Sequence, residues 1–465
     1  MPSRALRHPV DSRYRVIDAD LQVVECYPSR SGRMTSWLDR NFARTAGMTY
    51  FRSTLAGLVT ILLLVAPTAW AEGPDKARAE PTAHQQTPPA DAKPTLEIYG
   101  FAQTDAIAEF NQNDPNWFDV SRPSRLPSFA NQFGEDGHFY VSARQSRFGV
   151  KGQAPTGSAP VTAVFEFDLF GVGVDAGQTT FRLRHAYGQW KQFGAGQTNS
   201  PFMDPDVFPN ILDYWAPNGM LLYRNVQVFW RPLDGDTRVT VALERPGVNG
   251  DSGIYAERID LQGIQPRFPA PDLTGEYRVA QKWGYFKTSG VLRRINYDDT
   301  VEDQINLSGH VTGWGVSLSS NVKASPSDTL KLQYVFGEGI ENYFNDAPKD
   351  VGVKSNPGNS VTPLVGDALP VHGMMVYLDH KWNDHWTTSA GYSRNDVNNS
   401  DGQAPSAYKS GQYVSVNLLS TPVKNATLGG EFQWARRENF SDGFTVSDLR
   451  LQFSFKYSFS AKLGD

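Results

Sequence analysis

The end of the chain alternates between apolar and polar side chains. Across residues 449–459 every odd position is apolar and every even position is polar or charged, with Arg450 and Lys456 among the charged ones. Successive side chains of a β-strand point to opposite faces, so this period of two predicts a strand with one apolar and one polar face. An aromatic apolar face that ends at Phe459, near the chain terminus, is typical of the last strand of a membrane β-barrel.

Similar alternating segments begin at Leu96. We predict sixteen strands, at residues 96–110, 137–151, 160–170, 179–190, 192–199, 224–231, 236–245, 272–281, 284–296, 305–322, 329–338, 371–382, 385–394, 411–420, 425–437 and 446–459. Several connections after even-numbered strands are short, as at 382–385, whereas long ones such as 200–223 follow odd-numbered strands. A barrel with both termini in the periplasm has this order of turns and loops. The predicted fold is all-β, a 16-stranded antiparallel transmembrane β-barrel wide enough for an aqueous lumen.

A single long apolar run, at residues 55–66, stands far upstream of these strands. Arg52 precedes the run, and Ala69 and Ala71 follow it with the A-x-A spacing of a cleavage site. We predict a signal peptide at 48–71 that is cleaved after Ala71. A buried helix or an uncleaved signal anchor is the alternative.

Residues 1–47 carry no barrel pattern. We predict that they are a mis-called upstream extension and that Met34 or Met48, rather than Met1, is the start. An unusually long segment before the apolar run is the alternative.

The chain after Ala71 divides into two parts. Residues 72–95 are Pro-rich and predict an extended periplasmic linker. Residues 96–465 are the predicted barrel domain.

The exported chain is acidic and has no cysteine. Removing residues 1–71 takes away 9 of 44 basic and 5 of 49 acidic residues, which leaves 394 residues with a net charge of −9. This acidity argues against nucleic acid as a partner. Cys26 is the only cysteine, so its removal excludes disulfides, thiolate chemistry and cysteine-ligated metals from the exported chain.

Basic residues repeatedly occupy the polar face of the predicted strands. In 179–190, Phe181 and Leu183 share one face while Arg182 and Arg184 share the other. An arginine in the hydrocarbon layer costs about 2–4 kcal/mol at the midplane, so the arginine faces are expected to point into the lumen. The same parity predicts further inward cations at Arg238, Arg278, Arg437, Arg450 and Lys456, and places Arg436 outward.

These cations have two interpretations. One is a basic ladder that attracts anions, because guanidinium groups bind carboxylate, sulfonate or phosphate in a bidentate manner and stay charged. The other is structural pairing with carboxylates of the lumen. Those carboxylates would be Glu166, Asp168, Glu276 and Glu431.

Residues 200–223 are rich in proline and apolar side chains, unlike a loop exposed to water. We predict that this segment folds into the barrel and narrows it. Its carboxylates would then oppose the basic wall. The predicted constriction residues are Met203, Asp204, Asp206, Asp213 and Tyr214. An outer loop at a subunit contact is the alternative.

The sequence carries no pattern for an enzyme, a cofactor or a metal. The acidic stretch 396–402 lacks the central glycine and the downstream glutamate of a calcium loop, and turn formation explains it better. The histidines lack metal spacing, and no serine-hydrolase, zinc-protease or P-loop motif occurs. We therefore predict a channel without a cofactor. An outer-membrane lipase or protease, and a non-conducting structural or adhesin barrel, are the alternatives.

Several segments resemble known proteins. Residues 144–152 resemble the second-strand motif of Gram-negative porins, while 181–204, 205–224 and 313–323 resemble the DcaP-like porin family. The resemblance implies a trimeric, sixteen-stranded porin of the outer membrane that passes small anions, dicarboxylates among them. It also implies that Arg147, with Arg182 and Arg184, lies in the lumen beside a constriction at 200–223.

The sequence departs from the family pattern at both ends. Residues 72–95 have no heptads for the coiled coil that family members can carry, so a trimer is expected to rest on barrel walls, near Gly290 and Gly309. Six residues follow Phe459, so the aromatic signal for barrel insertion is internal.

Arg144 and Arg147 have opposite parity, so a regular strand would send one of them outward. A bulge near Gln145 would place both inside. The alternation alone does not decide between these two arrangements.

Overall fold

The computed structural model describes residues 93–464, which consist of strands joined by turns and loops. The strands are β1 (Thr95–Glu109), β2 (His138–Ser142), β3 (Arg147–Ala154), β4 (Val161–Phe170), β5 (Thr179–Trp190), β6 (Phe193–Asn199), β7 (Arg224–Asp234), β8 (Thr237–Glu244), β9 (Ile264–Arg267), β10 (Asp272–Gln281), β11 (Gly284–Asp299), β12 (Gly309–Lys323), β13 (Asp328–Glu338), β14 (Val351–Ser355), β15 (Leu364–Ala368), β16 (Pro370–Lys381), β17 (Trp386–Val397), β18 (Tyr408–Val423), β19 (Ala426–Asn439) and β20 (Thr445–Leu463). No helix of this part of the chain is long and apolar enough to cross a membrane.

All of these strands except β9, β14 and β15 belong to a closed antiparallel barrel wall, which has sixteen strand positions. Each wall strand pairs with the next along the chain, and β1 closes the barrel by pairing with β20 from Leu96↔Leu463 to Glu109↔Arg450. β2 and β3 are two pieces of one wall strand, since both pair with β1. β9 lies in an outer loop and extends β11, and β14 and β15 form a separate hairpin. The predicted sixteen-stranded barrel is confirmed.

Alternation along β20 shows why the wall forms. Phe453 and Phe455 are 63% and 54% exposed, whereas Gln452 and Ser454 between them are buried inside the barrel. The apolar side chains suit a lipid environment, while closure lets backbone groups bond to neighbouring strands.

The domain boundaries at residues 47 and 71 and the cleavage site lie outside the described residues, as does most of the 72–95 linker.

The second wall strand breaks between β2 and β3, at residues 143–146. A backbone turn joins Ala143 and Ser146 with an N–H···O distance of 3.0 Å. Arg144 is buried and binds Asp119 at 2.5 Å, while Arg147 faces the lumen near Glu166. The break therefore places both arginines inside.

Short turns and long loops alternate around the barrel. One end carries the turns, such as 191–192 and 424–425, while the other carries the loops 110–137, 200–223 and 339–369. These three loops pack together inside the barrel. Apolar clusters join Phe202 and Leu221 to Tyr343, and Trp117 to Trp215. These loops consequently fill part of the barrel interior, and charged side chains of the inner wall lie beside the loop 200–223.

Candidate channel constriction

The first part of the loop 200–223 is fixed to the inner wall by polar side chains. The Ser200 hydroxyl donates to Glu244 at 2.6 Å, and Lys287 donates to the carbonyl of Met203 at 2.6 Å. Asp204 accepts from the hydroxyls of Tyr285 at 2.8 Å and Ser319 at 2.5 Å. These contacts hold the loop against β8, β11 and β12.

The middle of the loop is held by a carboxylate on the opposite wall. Glu431 of β19 accepts the backbone N–H groups of Leu212 at 2.8 Å and Asp213 at 3.0 Å. Further along, the N–H of Leu221 donates to Gln333 at 3.1 Å. The loop thus crosses the barrel interior and is anchored at both sides, which confirms the predicted inward-folded loop.

Arg182 and Arg184 meet the loop at Tyr214. Arg184 donates to the Tyr214 hydroxyl at 2.6 Å and Arg182 donates to it at 3.1 Å. The hydroxyl in turn donates to Asp168 through a short hydrogen bond. Burial alone would raise the pKa of Tyr214, but the two guanidinium groups outweigh it and lower that pKa. Two cations are therefore concentrated at the point where the loop approaches the wall.

The same arginines pair with wall carboxylates. Arg182 binds Asp168 through two hydrogen bonds of 3.0 and 2.7 Å. Arg184 binds Glu166 at 2.6 Å and Asp168 at 3.2 Å. Arg147 lies 3.6 Å from Glu166. Three arginines thus share two carboxylates, so pairing and a surplus of positive charge coexist.

A second basic group faces the start of the loop. Arg238 binds Glu276 at 2.9 Å, and Arg278 lies 3.3 Å from Asp206 of the loop. Burial and the neighbouring Asp204 raise the pKa of Asp206, against the effect of Arg278. Asp206 and Arg278 therefore join the start of the loop to the wall through an ion pair.

Two predicted pore-lining residues face inward but do not reach the passage. Arg437 is buried and donates to the carbonyls of Ser124 at 2.9 Å and Leu126 at 3.2 Å. Arg450 is 1% exposed and donates to the carbonyl of Phe118 at 2.6 Å. Their assignment as pore-lining residues is wrong, because the loop 110–137 covers both.

Three predicted constriction residues face away from the basic wall. Met203 and Asp204 are buried against β11 and β12. Asp213 is buried and accepts the N–H of Ser121 at 3.0 Å. The expected row of three carboxylates opposite the arginines is therefore wrong, and Asp206 alone of the three pairs with a wall cation among the described residues.

Three cations on β7 and β11 are among the further inward or lumen-side cations that the sequence analysis did not predict. Lys287 of β11 binds Glu276 at 2.7 Å, and Arg293 of the same strand lies between Asp272 and Asp350 at 3.2 and 3.3 Å. Both have the inward parity of β11, which the alternation with Leu292 could have revealed.

The third missed cation is Arg224, the first residue after the loop 200–223. Its charge interacts with those of Arg184, Arg182 and Arg147. Its side chain makes no hydrogen bond or ion pair with another residue of the described chain. The alternation gave no signal for it because it stands at a strand end.

No group of three or more His, Asp or Glu residues suited to a metal occurs between residues 93 and 464.

Comparisons with known proteins agree with this architecture. A family model described as DcaP outer membrane protein matches residues 78–459. The crystal structure of the outer membrane channel DcaP of Acinetobacter baumannii aligns with a TM-score of 0.63 at 22% identity, over 80% of this chain and 99% of that chain. An anion-selective porin from Comamonas acidovorans aligns with a TM-score of 0.51 at 9% identity, over 79% of this chain and 100% of that chain.

The two structural likenesses concern the fold, while the family model carries the assignment. No curated relative matches the sequence. The family match extends over most of the chain and confirms the resemblance noted in its sequence. The chain belongs to the DcaP outer membrane protein family, and its family and fold point to an outer-membrane channel rather than to an enzyme.

Proposed function

We propose that this channel is a passive diffusion porin that prefers small hydrophilic anions. The observation that carries the proposal is the pair Arg182 and Arg184, whose guanidinium groups converge on Tyr214 of the inward loop. In a narrow and partly dehydrated passage each charge acts more strongly than in bulk water, and salt screens it less.

Short dicarboxylates are the solutes that this pair fits best. Arg182 and Arg184 are two residues apart on β5, so their Cα atoms are separated by roughly 6.5–7 Å. Each guanidinium presents several donors to one carboxylate. The two ends of a short diacid would then contact one arginine each while the wall carboxylates Glu166 and Asp168 keep the binding weak enough for release.

Selectivity measurements in planar bilayers test the proposal. We expect the wild-type channel to show an anion-directed reversal potential in a salt gradient. Replacing both Arg182 and Arg184 with Ala should lower the ratio of anion to cation permeability roughly fivefold, equivalent to about 1 kcal/mol. It should also weaken block by succinate.

The matched control is Arg436→Ala. Arg436 is next to Arg437 on β19 but has the outward parity of Trp434. A reversal potential that shifts with Arg436→Ala and not with the double substitution would contradict the proposal. A lipase, a protease, or a structural or adhesin barrel predicts no anion-selective conductance, so the same recordings separate these alternatives.

The proposed assembly is a homotrimer held by barrel walls and surrounded by membrane lipid and lipopolysaccharide. A side chain at outward-facing Gly290 would meet only the carbonyl of Gly315, whereas the ring of Tyr297 already covers Gly309. Gly290 is therefore the better placed of the two for a close approach of neighbouring barrels. Native mass spectrometry in mild detergent should show trimers, and N-terminal sequencing should place export cleavage after Ala71.

A further inference from the structure

A second group of cations lies on the inner wall of the barrel, next to the arginines of the constriction. The ring of Phe101 on β1 faces inward, and its centroid is 5.2 Å from the guanidinium carbon of Arg147 and 5.5 Å from the ammonium of Lys456. Among residues 93–464 the side-chain ammonium of Lys456 has no hydrogen bond and no ion pair. Arg147 shares its carboxylate, Glu166, with Arg184. Positive charge is thus in excess around Phe101.

The acidic groups near these cations are already engaged. Asp105 accepts hydrogen bonds from Ser454 at 2.5 Å, Gln103 at 2.9 Å and Gln452 at 3.1 Å. Glu166 binds Arg184 and also accepts from the hydroxyl of Tyr99 at 3.0 Å. By contrast, the buried Nε–H of Arg147 makes no hydrogen bond and lies 3.6 Å from Glu166. Glu166 and the Oδ1 atom of Asp105 are thus occupied, whereas the Oδ2 atom of Asp105 is buried without a hydrogen bond.

The group lies on the turn-bearing side of the constriction. Lys456 is opposite Thr427, which is two residues from the turn at 424–425. Arg182 lies three residues from Thr179, the loop-side end of β5. The pairs Arg182↔Asp168, Asp168↔Arg147 and Arg147↔Phe101 connect the two groups across neighbouring strands. The turns face the periplasm in outer-membrane barrels.

We infer that Lys456, Arg147 and Phe101 form a second anion site, which binds a carboxylate group on the periplasmic side of the constriction. This inference rests on the proposed anion preference. The ammonium of Lys456 and the guanidinium group of Arg147 supply charge-assisted donors, and the ring of Phe101 shields one flank of the site from water. A solute that leaves Arg182 and Arg184 meets this site next, and one that enters from the periplasm meets it first.

Sided block of single channels tests the site, with succinate as the probe. Lys456→Gln should weaken block by succinate added from the periplasmic side roughly threefold to tenfold, and block from the outer side much less. Lys456→Arg should retain the block, because it keeps the charge and the donors. Phe101→Leu should give an intermediate loss on the periplasmic side. Heat-modifiable migration on gels verifies that each variant is folded.

Lys424→Gln is the matched control, because Lys424 is an exposed cation in the periplasmic turn. It should leave the block unchanged. The second site is excluded if Lys456→Gln leaves periplasmic block unchanged, weakens block equally from both sides, or behaves like Lys424→Gln. It is also excluded if succinate does not block the wild type from the periplasm. If instead the wild type lacks anion preference in a salt gradient, the proposed function itself fails.

Discussion

Two groups of inward-facing arginines in one barrel wall have different environments. Arg182 and Arg184 of β5 contact the loop 200–223 through a single tyrosine hydroxyl. Arg437 and Arg450 of β19 and β20 lie behind the loop 110–137 and bind its carbonyl groups. Strand parity sends all four inward, but the loops decide which groups each of them binds.

Inward-facing charge therefore has two uses in this barrel. Behind the loops, cations bind buried carbonyl and carboxylate groups. Without these cations the buried groups would have no partners, and that would destabilise the folded protein. Beside the passage, the cations outnumber the carboxylates that pair with them. The first group should therefore govern stability, and the second should govern ion selectivity.

The largest expected effect is that of Arg450→Ala on stability. Arg450 lies 3.6 Å from Glu109 and is subject to the charges of Asp448, Asp213 and Asp119. Its removal leaves buried carboxylates without their cation, which costs about 3–5 kcal/mol. The substitution should lower the temperature at which the barrel unfolds on gels, with little change in the selectivity of the channels that fold.

Arg182→Ala provides the comparison. Asp168 would keep Arg184 and the hydroxyl of Tyr214 as partners, so the loss of stability should be smaller while the selectivity changes. Equal losses of stability for Arg182→Ala and Arg450→Ala would show that the distinction between the two groups is wrong.

Tyr214→Phe should change the ion selectivity of the channel, and the size of this change should be intermediate. The substitution removes the hydroxyl that occupies both arginines and keeps the ring that packs 5.1 Å from Phe170. The guanidinium groups would then have unoccupied donors facing the passage. We expect anion preference to rise about twofold to threefold. A reversal potential that moves toward cation preference would contradict this account.

The strands were predictable from sequence because each one repeats every two residues, and a one-residue slip would move every side chain to the wrong face. The accessibility of inward residues was not predictable in the same way. Arg450 and Lys456 have the same parity on β20, yet the carbonyl of Phe118 covers the first while the second has no such cover. Phe118 lies in a loop without periodicity, so no local pattern links it to β20.

The prediction that the carboxylates of the loop 200–223 oppose the basic wall failed for the same reason. Its composition indicated an inward fold, but the direction of each side chain depends on remote partners such as Tyr285 for Asp204 and Ser121 for Asp213. Among the described residues, Arg278 and Asp206 form the one ion pair between a predicted wall cation and a predicted loop carboxylate.

The smallest expected effect is the pH dependence that Asp213 contributes. Burial raises the pKa of this loop carboxyl to about 7, with a further upward contribution from Glu431 and a downward one from Arg450. The folded protein therefore holds a proton that the unfolded chain releases near pH 4. Stability from this group is complete below that pH, falls as pH rises, and levels off above about 7.

Asp213→Asn removes the titrating group. Ser121 and Trp215 donate to different oxygens of Asp213, both at 3.0 Å, so the single amide oxygen of the variant keeps one of the two hydrogen bonds and the variant carries a loss of stability that does not depend on pH. Between pH 5 and pH 8 the wild type gains a buried charge that the variant lacks, so the unfolding temperature of the wild type should fall relative to that of the variant. A difference between the two proteins that is the same at both pH values would show that Asp213 does not titrate in this range, and would leave its hydrogen bonds to the loop as its only contribution.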